Sequence, residues 1–140
     1  MASTTPAAHR IAVVDDEAPT TLVRYLNNVG FEARHFSEAG PVHELLDTPD
    51  RPDGYVLDWT LSHGQTSRGL IEAIREVDPS CPILLLTGTI QSKQANESEI
   101  AQVIGMYDVA IYEKPTRLRV LADKLSVMLG APVPAARTEC

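Results

Sequence analysis

Asp15 and Asp16 follow the apolar run IAVV, residues 11 to 14, and Glu17 follows them. Adjoining carboxylates repel one another, so their place at the end of what reads as a buried strand calls for a positive partner. Comparable strand-end positions hold Asp58 after GYVL, Thr87 after PILLL, and Lys114 after VAIYE. Asp15, Asp16, Asp58, Thr87 and Lys114 thus bring three carboxylates, one hydroxyl and one ammonium from four segments. Such an oxygen-rich set suits a hard cation such as Mg²⁺, which accepts carboxylates and keeps several waters. With a dication and Lys114 offsetting the negative charge, the Asp58 carboxylate could attack a phosphorus atom and become an aspartyl phosphate. Thr87 could then donate its hydroxyl to a phosphoryl oxygen, a hydrogen bond absent before modification.

The elements that must position these residues are legible as an alternation. Short apolar runs precede helix-period segments five times: RIAVV then PTTLVRYLNNVG, FEARHF then EAGPVHELLD, GYVLD then SRGLIEAIREV, PILLLT then ESEIAQVIG, VAIYE then TRLRVLADKLSVML. This predicts an α/β domain of five βα units, a mostly parallel sheet with helices on both faces. In such sheets, ligands sit beyond the carboxyl ends of the strands, where the strand order reverses. Pro19 suits a first helical turn and Gly30 a left-handed C-terminal cap, with Leu22, Leu26 and Val29 on one stripe between them. Leu118, Leu121, Leu125 and Met128 are expected as core contacts of the last helix.

Composition narrows the function. A chain of 140 residues, 44% hydrophobic, is the size of one domain with an adequate core. A net charge of -7 with scattered Lys and Arg argues against direct nucleic-acid binding. Trp59 alone, without a basic groove, does not make a stacking platform, and is expected to shield Asp58 and pack nearby. No apolar run reaches the length of a membrane span, and MASTTPAAHR lacks a secretory signal's apolar stretch, so the expected location is cytoplasmic, away from membranes. Cys81 and Cys140 form no metal or disulfide pattern, and the histidines no ligand spacing. Residues 1–9 are expected to be a disordered leader, 10–130 the folded domain, and 131–140 a tail or a linker to an absent output domain.

Taken as a set, these residues resemble the receiver domains of two-component response regulators, across about residues 10 to 130. That resemblance implies a flavodoxin-like, doubly wound (βα)5 parallel sheet with strand order 2-1-3-4-5. It also implies phosphorelay signalling, with Asp58 phosphorylated by a sensor histidine kinase or a phosphotransfer protein. Asp15 and Asp16 match the family's metal-binding acidic pair, Asp16 being the more direct ligand. The backbone carbonyl of Thr60 matches the third protein ligand of the Mg²⁺, for which Mn²⁺ is an alternative. Thr87 matches the switch hydroxyl, Lys114 the family's lysine and Pro115 its cis-peptide partner. Tyr112 is matched to the aromatic whose rotamer follows Thr87. The implied output is a changed surface on the fourth helix, fifth strand and fifth helix, through which a homodimer could form. The chain is then a phosphoacceptor switch and not an enzyme.

Two segments depart from the pattern. After Asp58 the family commonly shows a short loop with Pro and then Gly, whereas WTLSHGQTSRG has no Pro and reaches Gly69 late. The interval from Thr87 to Lys114 is also long. Two other functions compete. One is a receiver-like interaction module that works without phosphorylation. The other is a Mg²⁺-dependent aspartyl-phosphate phosphatase, which usually needs a second Asp two residues after the nucleophile, where this chain has Thr60. Each residue also has a plainer reading taken singly: Asp15 and Asp16 as a capping acidic turn, Thr87 as a loop cap, Lys114 as a surface lysine, Tyr112 as edge packing.

Overall fold

The computed structural model describes residues 9–15, 20–61, 66–88, 94–113 and 116–129, apart from the side chains of 20 and 94–99. Five strands, β1 (Arg10–Val14), β2 (Glu32–Phe36), β3 (Gly54–Asp58), β4 (Ile83–Thr87) and β5 (Ala110–Glu113), alternate with five helices. The helices are α1 (Thr20–Asn28), α2 (Gly40–Leu45), α3 (Arg68–Val77), α4 (Gln94–Tyr107) and α5 (Leu118–Leu129). The strands form one parallel sheet in the order β2-β1-β3-β4-β5. This is the flavodoxin-like doubly wound arrangement expected from the sequence. The order reverses between β1 and β3, and in sheets of this kind ligands sit beyond the carboxyl ends at that point.

Burial follows the strand order. Every residue of β3 and β4 is buried, because helices cover both faces of central strands. β2, at one edge, alternates its buried Ala33 and Phe36 with exposed Glu32, Arg34 and His35. Period-2 alternation divides the core. Val14, Leu57, Ile83 and Leu85 pack under α2, α3 and α4, while Ile11, Val13, Val56, Leu84 and Leu86 pack under α1 and α5. Each large aliphatic side chain so buried contributes about 1.5–3 kcal/mol.

Local chemistry sets the helix ends. Gly30 adopts φ 114°, and the N–H of Phe31 returns to the Leu26 carbonyl at 3.0 Å, the left-handed cap its sequence position calls for. In α5, Leu121 and Leu125 are buried as expected and Leu118 packs beside them, but Met128 is 37% exposed. Ala122 and Ser126 are buried in its stead, because the inward stripe is centred near Leu118, Ala122 and Leu125, leaving Met128 on its margin. α4 begins upstream of the apolar-period segment that announced it, at polar Gln94.

The end of α4 is held by α3. Arg75 donates from Nε to the Tyr107 carbonyl at 2.7 Å and from Nη2 to the Asp108 carbonyl at 3.1 Å. Its Nη1 reaches the Asp78 carbonyl at 3.1 Å and Cys81 Sγ at 3.4 Å. One guanidinium thus ties the last turns of both helices to the entry of β4. The clamp also holds Asp108 at φ 56°, a left-handed conformation that a non-glycine residue adopts at some cost.

Candidate functional site

Strand register determines which side chains can meet at the carboxyl rim. Val14 pairs with Leu57, so Asp15 and Asp58 follow on neighbouring strands either side of the reversal point. Adjacent strands lie about 4.8 Å apart, so their two carboxylates emerge side by side. Asp58 in turn pairs with Leu86, which puts Thr87 one residue beyond on the next strand. Asp15, Asp58 and Thr87 are all buried, at 8%, 9% and 3% exposure.

The backbone beneath them is tied down. The Asp15 N–H donates to the Phe36 carbonyl at 3.0 Å, extending the β1–β2 ladder by one residue. The Asp15 carbonyl lies 2.8 Å from His35 Nε2, and since a carbonyl only accepts, that nitrogen carries the proton. The Trp59 N–H donates to the Leu86 carbonyl at 2.7 Å, extending β3 past Asp58. His35 had no legible role in sequence; its contact depends on β2 lying beside β1.

In the segment after Asp58, atypical in sequence, the described residues on either side of 62–65 lie against one another. Thr60 and Thr66 form an isolated antiparallel bridge, and the Ser67 N–H donates to the Trp59 carbonyl at 2.9 Å. Ser67 Oγ donates to the Asp58 carbonyl. Ser67 sits at the N-cap of α3, where a serine normally turns its oxygen to a helix N–H, but it makes no such bond. Its hydroxyl bonds the end of β3 instead. Sequence reasoning missed this residue, because nothing in SRGLI distinguishes a serine that caps from one that reaches back nine residues.

Two polar atoms at this rim are buried without a hydrogen-bond partner among the described residues: Thr87 Oγ1 and Trp59 Nε1. Leaving such a group unpaired costs about 1–3 kcal/mol, so each marks a place where a ligand or neighbouring segment has a bond to supply. Trp59 itself is 2% exposed and packs under α2 and α3, which fits shielding and rules out a solvent-facing stacking platform.

Tyr112 requires a correction. It pairs with Leu86 on β4 and packs with it under α1 and α5, whereas Thr87, one residue on, turns to the other face. Ile111, paired with Leu85, shares the face of Thr87. Counting back from Lys114 cannot separate two consecutive residues, whereas the period-2 pleat can, and it puts an aliphatic side chain where an aromatic partner for Thr87 was expected. Burial pushes the Tyr112 phenol above its ordinary pKa, in keeping with a packing role.

Asp16, Lys114 and Pro115 lie outside the described residues. Among the described residues no group of three or more His, Cys, Asp or Glu is arranged to hold a metal. The adjoining, mostly buried carboxylates of Asp15 and Asp58, with the exposed Thr60 nearby in sequence, are nonetheless hard oxygen donors of the kind that fit Mg²⁺. Among the described residues no helix is long and apolar enough to cross a membrane.

No protein-family model matches the sequence, and no curated protein is similar enough to count as a relative. Solved structures are informative. A response regulator receiver protein from Sinorhizobium medicae WSM419 is 27% identical with a TM-score of 0.71, the match covering 89% of this chain and 96% of that one. A CheY-like response regulator receiver domain protein from Methanospirillum hungatei JF-1 is 20% identical with a TM-score of 0.67, covering 88% and 94%. A BeF3-activated DrrB receiver domain is 21% identical with a TM-score of 0.65, covering 88% and 98%. The last two likenesses show the fold, and the first extends to sequence over almost the full length of both chains. With the 2-1-3-4-5 sheet and an aspartate closing its central strand, the chain is similar in fold, and in one case in sequence, to the receiver domains of response regulators.

Proposed function

We propose that this receiver domain is a phosphoacceptor switch, and that Asp58 is the residue modified. One observation carries the reading: Asp58 ends the central strand beside Asp15, with the buried Thr87 hydroxyl, unpartnered among the described residues, on the next strand over. In the proposed step an Asp58 carboxylate oxygen forms a bond to phosphorus as the bond from phosphorus to a donor histidine nitrogen breaks, the electron pair leaving with the imidazole. The donor is a sensor histidine kinase or a phosphotransfer protein. Asp15, Asp16, Asp58 and the Thr60 carbonyl would hold Mg²⁺, or Mn²⁺ in its place; when bound, the ion supplies neutralisation of charge on the phosphoryl oxygens. Lys114 adds a second positive charge there, and Pro115 follows it as the proposed cis-peptide partner. Thr87 Oγ1 donates to a phosphoryl oxygen and so gains the hydrogen bond it lacks.

The domain takes and slowly loses a phosphoryl group without turning over a separate substrate, so it acts as a switch and not as an enzyme. Its output surface is α4, β5 and α5. Met106 on α4 and Val120 and Val127 on α5 are exposed apolar side chains, at 62%, 42% and 71%, and supply a face for a target or a second copy of the chain. The absence of clustered basic residues supports an output other than direct nucleic-acid binding, and a cytoplasmic location accords with the partners proposed.

Trp59, adjoining Asp58, is a built-in reporter. Mg²⁺ followed by acetyl phosphate or a beryllofluoride mimic is expected to change its fluorescence, and intact mass is expected to show a base-labile phosphoryl adduct with acetyl phosphate. Asp58→Asn should abolish the adduct completely and keep a metal response. Wild-type protein that takes up neither phosphoryl group nor mimic would leave the phosphorylation-independent module as the better reading.

A further inference from the structure

The loop that departs most from the family pattern is also the one bonded to both the acceptor strand and a distant helix. Ser67 is fully buried and uses three groups at once. Its Oγ–H donates to the Asp58 carbonyl, its N–H to the Trp59 carbonyl, and its own carbonyl accepts the Ile71 N–H at 2.9 Å as α3 begins. The acceptor strand and the first turn of α3 therefore share one residue as a joint. Arg68, next in the chain, donates from Nε to Glu72 Oε2 at 3.1 Å and from Nη1 to Gln102 Oε1 on α4 at 3.3 Å. Tyr107, near the end of α4, donates its hydroxyl to the same Glu72 oxygen at 3.4 Å. At the far end of the seam the Arg75 clamp holds α4 by two backbone carbonyls.

We propose that Ser67 and Arg68 form a positioning relay in which Ser67 locks the backbone of Asp58 to α3 and Arg68 passes movement of that joint to Gln102 on α4. This rests on the reading of Asp58 as a phosphoacceptor. A phosphoryl group on Asp58 adds bulk and negative charge where the backbone carbonyls of Asp58 and Trp59 are already held by Ser67, so the joint cannot shift without carrying the first turn of α3. Arg68 sits on that turn. Its guanidinium bridges Glu72 and Gln102 with one planar fork, a geometry that lysine does not reproduce. At the end of α4 the Arg75 clamp bonds backbone and not side chain, so it holds that end as a pivot while the Gln102 tether moves. The side chain of Ile111 on the face of Thr87 is aliphatic and can offer no hydrogen bond, which leaves the polar Arg68–Gln102 contact as a route from the site to α4.

The test is hydrogen exchange of residues 100–107 in the 140-residue chain, with Mg²⁺ alone and with Mg²⁺ plus beryllofluoride, alongside intact-mass phosphorylation by acetyl phosphate. In wild type the mimic is expected to change α4 exchange. In Arg68→Ala and in Gln102→Ala that change should shrink roughly threefold, about what one modest hydrogen bond is worth. The double variant should lose no more than either single, Arg68→Lys should fail to restore the response, and all four should still become phosphorylated. Ser67→Ala should slow phosphorylation and also lose the α4 response; should it melt far below wild type, the Arg68 and Gln102 variants decide alone. A wild-type-sized response in Arg68→Ala, additive losses in the double variant, or a modified wild type with unchanged α4 exchange would each overturn the relay while leaving Asp58 as acceptor. Wild type that takes up neither phosphoryl group nor mimic removes the acceptor reading and the relay together.

Discussion

At the amino ends of the strands polar groups are paired several times over. Arg10 donates its N–H to Asp53 Oδ2 at 2.8 Å, Asp78 Oδ1 accepts from the backbone of both Ser80 and Cys81, and Arg75 reaches three carbonyls. At the carboxyl ends the Thr87 hydroxyl and the Trp59 indole N–H are buried with no partner among the described residues. Two atoms elsewhere share that condition, the Tyr55 hydroxyl and Ser126 Oγ, and Tyr55 lies towards the amino ends, within reach of Asp53 and Asp78. Polar pairing is thus dense at the amino rim, with the Tyr55 hydroxyl its exception, while two orphaned atoms sit at the carboxyl rim. On the proposed reading, stability and function are placed at opposite ends of the same strands.

Substitutions should separate the two. The largest effect is expected from Arg75→Ala, which orphans carbonyls on two segments and should lower the unfolding free energy by about 2–3 kcal/mol in urea titrations. A smaller loss, near that of a surface arginine, would mean the clamp is replaceable by water. Thr87→Val should go the other way, leaving stability unchanged or raising it by about 1 kcal/mol by removing an unpartnered buried hydroxyl. The same variant should weaken the Trp59 response to beryllofluoride. A marked destabilisation by Thr87→Val would break the contrast between the rims.

The smallest effect is confined to alkaline pH. Burial, with Asp78 adding to it, pushes the Cys81 thiol from 9.0 up to about 11. The folded state therefore keeps a proton that the unfolded chain gives up, so this contribution to stability is whole below pH 9 and is lost as pH rises through about 11. Cys81→Ala should flatten the fall in stability across that window, measured by urea unfolding at stepped pH. Burial pushes the Tyr55 phenol up as well, so part of the slope should remain.

All five strands were legible because apolar runs such as IAVV and ILLLT have no other economical use in a chain of this size, and their alternation with helix-period segments gave the class. The positions of Asp15, Asp58 and Thr87 followed, since a strand end is a place in sequence as much as in space. Facing was not legible to the same degree. Tyr112 and Ile111 are neighbours in the chain and opposites in the pleat, and only the register with Leu85 and Leu86 assigns them. Met128 failed for a kindred reason, lying where a helical stripe passes from core to surface. Ser67 and Arg75 were out of reach because each acts on backbone carbonyls, which every residue has and no sequence pattern advertises.

The crossing from β1 to β3 also bears on how the molecule comes into being. Ile11 is paired with Gly54, so this central junction of the sheet waits for more than forty intervening residues. Parallel sheets of such long-range pairing fold slowly compared with locally connected ones. During synthesis Asp15 leaves the ribosome well ahead of Asp58, and the two can become neighbours only when the middle of the domain zips shut. A nascent or partly unfolded chain accordingly carries these acids scattered, and their juxtaposition arrives in the same event as the architecture.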